Sequence, residues 1–212
     1  MTGAGIMKAR CLATGFGPFD RFGENPSSMV ASVLSDEFED VVSVELPVIY
    51  GKAREGLLSN LERIRPETVI SFGLNGRIGH IALEEIAVNI RSSEKPDNSG
   101  KVMTNEPISP DGELAYRTTL PVERILDALR ERGIPAGRSY SAGVYICNEV
   151  FYTLMEWCAA SGSRGGFVHV PMVSEMIAAD PASCSMPHMS SGMLIDAGRT
   201  IVSIVMGERA LR

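Results

Sequence analysis

The sequence has few of the residues that build disulfide frameworks, metal centres or nucleic-acid surfaces. Its four cysteines, Cys11, Cys147, Cys158 and Cys184, form no CxxC pair, and none of its three histidines stands at zinc-finger spacing. We therefore expect free thiols, no structural metal and no cofactor. No run of Lys or Arg is long enough to follow a phosphate backbone, and the net charge is −6. Both features argue against nucleic acid as a partner.

Long apolar runs are also absent. No segment has 18 uninterrupted apolar residues, and residues 1–10 contain no apolar stretch of the kind found in export signals. The sequence thus predicts neither membrane spanning nor export, and we expect a cytoplasmic protein. With 212 residues, 44% apolar and 22% charged, the composition is typical of a globular chain, and we expect one domain over residues 1–212.

Apolar patterns that alternate between strand and helix spacing run along the chain. In the first third they predict strands at residues 10–14, 41–48 and 68–72, a helix from Asn25-Pro26, and a helix over 53–64. Asn before Pro is a common helix start, because Asn caps the free amides and Pro fits the first helical position.

The remaining chain continues the alternation less regularly. Residues 81–90 predict a strand that pairs antiparallel with the strand before it, because the connection is short. Residues 91–111 are polar and predict a long excursion, and helices are predicted from Pro121 and from Ser190. Together these elements predict an α/β fold, with a three-layer α/β/α domain around a mixed, mainly parallel sheet.

One cysteine and one histidine stand where such a fold keeps its ligands. Apolar residues at helical spacing predict a helix from near Cys147 to about residue 160, and residues 166–170 predict a buried strand that ends just after His169. The start of that helix and the end of the next strand are expected at the same edge of the sheet. Cys147 and His169 are therefore candidates for a thiol nucleophile and its base.

Each of these residues also has a purely structural explanation. Free cysteine and strand histidine are often simply buried in a core. Position favours function for Cys147, because free amides at a helix start stabilise a thiolate and can hold an oxyanion. His169 at a strand end can reach both a substrate and a thiol.

Glu84 is the proposed third member of the group. In strand phase it shares a face with Ile86 and Val88, where an unpaired carboxylate would be costly, so it needs a partner. A carboxylate near His169 could orient the imidazole and stabilise its protonated form. The alternative is that Glu84 and Glu85 form a solvated strand end, and pattern alone leaves both open.

Two phenylalanines, Phe16 and Phe19, follow the first predicted strand in a Gly- and Pro-containing loop. Paired aromatics are usually core residues, but a loop at this edge of the sheet is also where pocket walls form.

These residues carry a resemblance to pyroglutamyl peptidase I, a cysteine peptidase family, over nearly the whole chain. Many short blocks match in one order and register. They are residues 14–19 (TGFGPF), 24–27 (ENPS), 84–90 (EEIAVNI), 95–98 (KPDN), 132–135 (RGIP), 141–148 (SAGVYICN), 166–171 (GFVHVP) and 187–190 (PHMS).

The resemblance implies Cys147 as nucleophile, His169 as general base and acid, and Glu84 as the orienting carboxylate. It implies substrate binding by Phe16 and Phe19, which would sandwich the lactam ring, and we place Val144 among the substrate-binding residues too. The implied activity is removal of N-terminal pyroglutamate from small peptides through a thioacyl-enzyme, by a protein that assembles into dimers or tetramers.

Two departures from the family pattern lie near the expected pocket. In the loop over residues 73–78, Arg77 stands one place earlier than the arginine that the family usually has. Glu94 occupies a position where the family usually carries arginine, and Arg91 or Lys95 is a candidate to compensate. An arginine there would help to neutralise a negative intermediate, whereas glutamate would oppose it.

These departures keep two other functions open. One is a thiol amidohydrolase that acts on another small cyclic or N-acylated amide. The other is a binding or regulatory protein that keeps the fold without turnover, for which the reactivity of Cys147 is the discriminating property.

Overall fold

A computed structural model of the chain describes residues 9–19 and 22–207. The prediction about an export signal in residues 1–10 therefore falls almost wholly outside the described residues. The described residues contain twelve strands, several of them only two or three residues long. In chain order they are β1 Cys11–Phe16, β2 Val41–Leu46, β3 Thr68–Leu74, β4 Ile81–Glu84, β5 Ile86–Val88, β6 Arg91–Ser93, β7 Met103–Glu106, β8 Ala115–Arg117, β9 Ala136–Ser139, β10 Arg164–Val170, β11 Met172–Val173 and β12 His188–Met189.

Within residues 9–19 and 22–207, six α-helices connect or follow these strands. They are α1 Pro26–Glu37, α2 Lys52–Ile64, α3 Val122–Glu131, α4 Ile146–Ser161, α5 Ser174–Ala179 and α6 Ser191–Met206. The predicted start of α1 is confirmed, because the Asn25 side chain caps the helix by accepting a hydrogen bond from the Ser27 amide at 3.1 Å. Ser190 caps α6 in the same way, accepting from the Met193 amide at 3.2 Å.

Six strands form the central sheet in the order β2-β1-β3-β10-β4-β9. The first four are mutually parallel, β4 runs antiparallel to β10, and β9 runs parallel to β4. The predicted mixed, mainly parallel sheet is confirmed.

Apolar clusters cover both faces of this sheet. On one face α1, α3 and α6 pack on residues such as Ile70 and Val168, and on the other α2 and α4 pack on residues such as Val69 and Phe167. Successive residues of a strand point to opposite faces, so strands buried on both faces need apolar residues at nearly every position. This arrangement confirms the predicted three-layer α/β class.

The pairing predicted for residues 81–90 is wrong. β4 runs antiparallel to β3, as expected, but the two strands do not pair. β10 lies between them, and β4 pairs antiparallel with β10 on one side and parallel with β9 on the other. A seven-residue parallel ladder with β10 occupies the free edge of β3, and the four-residue β4 could not replace it. The strand also breaks at Glu85, so the assumed common face of Glu84, Ile86 and Val88 does not exist as one strand.

The excursion predicted over residues 91–111 contains more order than its composition suggested. β6 pairs antiparallel with β7, and β5 pairs antiparallel with β8, in two small sheets beside the central one.

In the part of the chain that the structure describes, no helix combines the length and apolarity needed to cross a membrane. The same residues contain no group of three or more His, Cys, Asp or Glu side chains able to hold a metal ion.

Candidate active site

Cys147 is the second residue of α4 and is half-buried. Gly143, with a left-handed φ of 75°, and the extended Tyr145 turn the chain into this helix. The amides of Asn148 and Glu149 donate to the Tyr145 carbonyl, whereas the amides of Ile146 and Cys147 come before these first intrahelical bonds. The thiol thus lies at the positive end of the helix dipole, beside amides that can accept an anion.

Two buried polar side chains fix the first turn of α4. Asn148 donates to the carbonyls of Val88 and Ile90, both at 2.8 Å, and accepts from the Val88 amide at 3.1 Å. Glu149 accepts from Arg91 Nη1 at 2.8 Å and from the Gly51 amide at 3.0 Å. The position of the Cys147 backbone is therefore set by bonds that use most of the hydrogen-bonding capacity of its two neighbours.

His169 and Glu84 form a buried pair on adjacent strands. His169 on β10 lies directly opposite Ala82 on β4, and Glu84 is its diagonal neighbour on the same face. His169 Nδ1 lies 2.7 Å from Glu84 Oε1, and the two residues are 4% and 2% exposed. The small Ala82 leaves the space through which the imidazole and the carboxylate meet.

This environment shifts the titration of the imidazole. Burial penalises the imidazolium and by itself would lower the pKa of His169. Hydrogen bonds to Cys147 and to Glu84, with the Coulombic attraction of both groups, outweigh burial and raise the pKa to about 9. Since Nδ1 is held by Glu84, the bond to Cys147 uses Nε2. At neutral pH this geometry favours the imidazolium form of His169, which lies between Cys147 and Glu84.

Gly73 allows the sulfur to approach the sheet. It pairs with His169 in the β3–β10 ladder, and a Cβ atom at this position would lie 2.6 Å from Phe167 Cζ and 3.1 Å from Cys147 Sγ. The Phe167 ring is buried and packs against Phe16, Phe151 and the His169 ring, so it cannot easily move away. A glycine within a strand often marks such a close approach.

We expect the substitution Gly73→Ala to destabilise the fold by about 1–3 kcal/mol, as overpacking of a tight core does, and to lower activity by displacing the sulfur. Denaturant unfolding and substrate turnover measure the two effects. Gly56→Ala is a control for an added methyl group that meets no clash, because its Cβ would meet only Leu46 Cδ2, at an ordinary 3.5 Å. Gly56 lies inside α2, so alanine there should raise stability by about 0.5–1 kcal/mol. Equal stability of the two variants would contradict the steric argument.

Cys147 and His169 open into a cavity of about 600 Å³. Its walls combine apolar and polar residues from six separate parts of the chain. The lining residues are Phe19, Phe22, Leu74, Asn75, Gly76, Arg77, Ser93, Lys95, Ser141, Ala142, Gly143, Tyr145, Cys147, His169, Met172 and Met186. A volume of this size suits a small molecule or the end of a peptide.

The structure treats the three expected substrate-binding residues differently. Phe19 lines the cavity. Phe16 belongs to β1, not to the loop after it, and its buried ring packs on Phe167 in the core with a centroid distance of 6.4 Å, so it does not line the cavity. Val144 is not among the lining residues, and its carbonyl accepts a hydrogen bond from the Ser92 amide at 2.8 Å.

Some of the residues at and near the two positions that depart from the family pattern line the cavity, and others do not. Glu94 is exposed and does not line the cavity. Arg91 pairs with Glu149 at 2.8 Å and with Glu106 at 3.5 Å, which occupies it at the base of α4. Arg77 and Lys95 do line the cavity, so of the two candidates to compensate, Lys95 has the right location.

Sequence reasoning missed Tyr145 and Gly73. Tyr145 lines the cavity, packs against Phe19 and Tyr50 at centroid distances of 5.7 and 5.3 Å, and donates to the Pro96 carbonyl at 3.0 Å. Its place immediately before a helix start was a usable signal. Gly73 was assigned to a loop, although a glycine after a run of large strand residues could have indicated close packing.

Comparison with known proteins gives a consistent result. The family model described as pyroglutamyl peptidase matches residues 9–208. The pyrrolidone-carboxylate peptidase of Brachyspira hyodysenteriae is 36% identical over 91% of this chain and 96% of that protein. The protein of the same name from Pyrococcus furiosus is 38% identical over 94% of this chain and 99% of its own length.

Solved structures agree with the sequence comparison. A point mutant of pyrrolidone carboxyl peptidase from Pyrococcus furiosus superposes with a TM-score of 0.87 at 37% identity, covering 93% of this chain and 98% of that one. Pyroglutamyl peptidase I from Bacillus amyloliquefaciens gives a TM-score of 0.87 at 32% identity, covering 94% and 95%. The resemblance found in the sequence is confirmed.

Proposed function

The chain belongs to the pyroglutamyl peptidase family, and from this membership and the site geometry we propose that it is a cysteine exopeptidase that removes N-terminal pyroglutamate from peptides. The observation that carries the cysteine mechanism is that Cys147 of α4 and His169 of β10 line one cavity, while the buried Glu84 of β4 bonds to His169 Nδ1. A nucleophile, a base and a group that orients the base form the arrangement that recurs in nucleophilic catalysis of amide cleavage.

In the proposed acylation step, the Cys147 thiolate attacks the carbonyl carbon that follows the lactam ring, and the new S–C bond places negative charge on the carbonyl oxygen. The amides of Ile146 and Cys147 at the start of α4 stabilise that oxyanion. His169 then gives its Nε2 proton to the departing amide nitrogen, the C–N bond breaks, and the shortened peptide leaves as an amine. The product on the protein is a thioester of Cys147.

Deacylation uses the same groups in reverse. Neutral His169 removes a proton from water, the hydroxide attacks the thioester carbonyl, and the C–S bond breaks to release pyroglutamate and restore the thiolate. Glu84 stays bonded to Nδ1 throughout and keeps Nε2 directed at the reacting atoms. The pyroglutamyl ring is neutral and compact, so a wall containing Phe19 and backbone polar groups suits it without a charged anchor.

The structure removes one of the two reasons for considering a different amide substrate. A thiol amidohydrolase for a different cyclic or N-acylated amide was suggested by Glu94, but this side chain is exposed and outside the cavity wall. The site-lining Arg77 remains a difference from the family pattern. A panel of acyl amides separates the two functions, because preference for an acyl group other than the lactam would support the amidohydrolase.

The test of the proposed function is hydrolysis of a pyroglutamyl aminomethylcoumarin amide with and without iodoacetamide. We expect turnover that is lost in step with carboxymethylation of Cys147, followed by mass spectrometry of tryptic peptides. Burial raises the pKa of Cys11 and of Cys158 to about 12, so both should stay unlabelled at neutral pH. The exposed Cys184 should react more slowly than Cys147, because it lies outside the cavity that His169 lines. Uniform slow labelling without turnover would instead support the non-catalytic binding protein.

A further inference from the structure

Asn75 directly follows the last residue of β3 and lines the cavity together with Cys147 and His169. The ladder between β3 and β10 continues through it, because the Asn75 amide donates to the Val170 carbonyl at 2.9 Å. The backbone of Asn75 is therefore held at the edge of the central sheet by the sheet itself.

The alternation of side chains along β3 directs Asn75 towards the reactive sulfur. Leu74 packs on the apolar cluster beneath α1, α3 and α6, whereas a Cβ atom at Gly73 would lie 3.1 Å from Cys147 Sγ on the opposite face. Successive strand residues point to opposite faces, so Asn75 returns to the face of Gly73 and Cys147. Two residues advance a parallel strand by about 6.6 Å, a gap that a carboxamide and a substrate oxygen fill between them.

The turn after β3 orients the Asn75 carboxamide. Asn75 Oδ1 accepts from the Arg77 amide at 3.1 Å, and the Asn75 carbonyl accepts from the Ile78 amide at 3.4 Å. Since Oδ1 is the acceptor in this turn, Nδ2 carries the two N–H donors of the side chain. Nδ2 makes no hydrogen bond to any residue in the described part of the chain, so both donors are available to a molecule in the cavity.

The site also differs from the family pattern in what it offers a negative intermediate. Glu94 stands where the family usually has arginine and is exposed outside the cavity, and Arg91 is held in ion pairs at the base of α4. We propose that Asn75 is a catalytic residue whose Nδ2 donates a hydrogen bond to the oxyanion, alongside the amides of Ile146 and Cys147. This inference rests on the proposed function and adds a side-chain donor to the groups that stabilise the intermediate.

The test is the steady-state kinetics of Asn75→Ala and Asn75→Asp with the pyroglutamyl aminomethylcoumarin amide. We expect Asn75→Ala to lower kcat by about 10²- to 10³-fold with little change in KM, the cost of losing one oxyanion donor. Asn75→Asp keeps an acceptor for the Arg77 amide and the size of the side chain but has no N–H group, so it should lose at least as much. Full activity of Asn75→Asp, or a rise in KM alone in Asn75→Ala, overturns the inference.

Two further measurements separate an oxyanion donor from a residue that only supports the fold. The aldehyde analogue of pyroglutamate forms a tetrahedral adduct with Cys147, so its inhibition constant should rise in Asn75→Ala by the factor by which kcat/KM falls. Alkylation of Cys147 by iodoacetamide passes through no oxyanion, and its rate in Asn75→Ala should stay close to that of the wild type. Loss of alkylation in step with turnover would mean that Asn75 only supports the thiol, contrary to the inference.

Asn60→Ala is the control, because it removes the same side chain from α2, outside the cavity. Asn60 donates to the Gly56 carbonyl at 2.8 Å and accepts from Arg63 at 2.7 Å, so its loss should leave kcat, KM and aldehyde inhibition unchanged.

Arg77→Gln tests the neighbouring cation of the cavity wall. A loss of kcat in Arg77→Gln with none in Asn75→Ala would assign the oxyanion donor to Arg77 and overturn the inference. Equal kinetics of the wild type and Asn75→Ala would overturn the inference alone, whereas failure of the wild type to cleave the pyroglutamyl amide would overturn the proposed function itself.

Discussion

Replacement of Cys147 by alanine is expected to reduce kcat for a pyroglutamyl amide by at least about 10⁴-fold, since losing the nucleophile of a catalytic triad costs that much or more. The oxyanion-binding amides of Ile146 and Cys147 are backbone groups and survive the substitution, so whatever slow hydrolysis remains measures their contribution. Single-turnover mass spectrometry with an activated pyroglutamyl ester should detect acylation of the wild type at Cys147 and none in the variant.

The matched control is Cys184→Ala, which removes an exposed thiol that does not line the cavity and should retain full activity. Circular dichroism and thermal unfolding of both variants separate a chemical loss from a folding defect, and we expect both to melt close to the wild type. Cys147 is only half-buried, and truncation to alanine leaves the bonds of Asn148 and Glu149 intact. Full turnover by Cys147→Ala would rule out covalent catalysis at this residue.

The meeting of Cys147 and His169 could be predicted because it depends on local signals. Apolar residues at helical spacing defined α4, and a short apolar run defined β10. α4 leads directly into β10 and runs in the opposite direction along it, so the start of the helix lies near the end of the strand. Cys147 and His169 are therefore close together, whichever strands lie next to this pair. This is why the contact follows from the sequence even though β9, before the helix, runs opposite to β10.

The role of β4 could not be predicted in the same way. A short connection between β3 and β4 favours a hairpin, but the edge of β3 is taken by β10, which arrives about 90 residues later in the chain. β9 carries the sequence Ala-Gly-Arg-Ser, which has no β-branched or aromatic residue, so no local pattern identified the strand that closes this side of the sheet. Glu84 does lie beside His169, but the strand pairing from which this proximity was expected is wrong.

The positions of side chains around the cavity depend on tertiary packing. Phe16 and Phe19 are close in sequence and equal in chemistry, yet one supports Phe167 in the core and the other faces the cavity. Arg91 and Lys95 were equal candidates for a charge at the site, and only the burial of Glu149 explains why Arg91 is used elsewhere. A buried carboxylate requires a partner, and the nearest arginine supplies it.

Glu84→Gln is expected to reduce kcat/KM at pH 7 by about 10²- to 10⁴-fold, as loss of the carboxylate that orients a catalytic histidine does. Glutamine preserves the volume and can still accept a hydrogen bond from Nδ1, but it removes a negative charge that helps to raise the pKa of His169 to about 9. The pKa should therefore fall. Because the thiolate–imidazolium pair is lost when His169 deprotonates, the high-pH limb of the rate profile should move to lower pH.

The raised pKa of His169 also predicts that the free energy of unfolding depends on pH. The folded-state pKa of His169 lies above the ordinary histidine value of 6.5, so its stabilising contribution is fully present below about pH 6.5 and is lost as the pH rises through 9. The difference in unfolding free energy between wild type and Glu84→Gln should be largest at the acidic end of this window and should narrow above pH 9. Denaturant unfolding at several pH values measures it.

Glu85→Gln is the matched control, because Glu85 is equally buried and adjacent in sequence but pairs with Arg117 at 3.0 Å and Arg138 at 2.9 Å instead of with His169. Its loss should reduce stability, since it leaves two arginines without their buried partner, and should leave the alkaline limb of kcat/KM in place. If Glu84→Gln and Glu85→Gln changed the pH–rate profile alike, Glu84 would be a structural carboxylate and the His169 pKa would be set by Cys147 and burial alone. A shift confined to Glu84→Gln identifies the carboxylate that positions the catalytic imidazole.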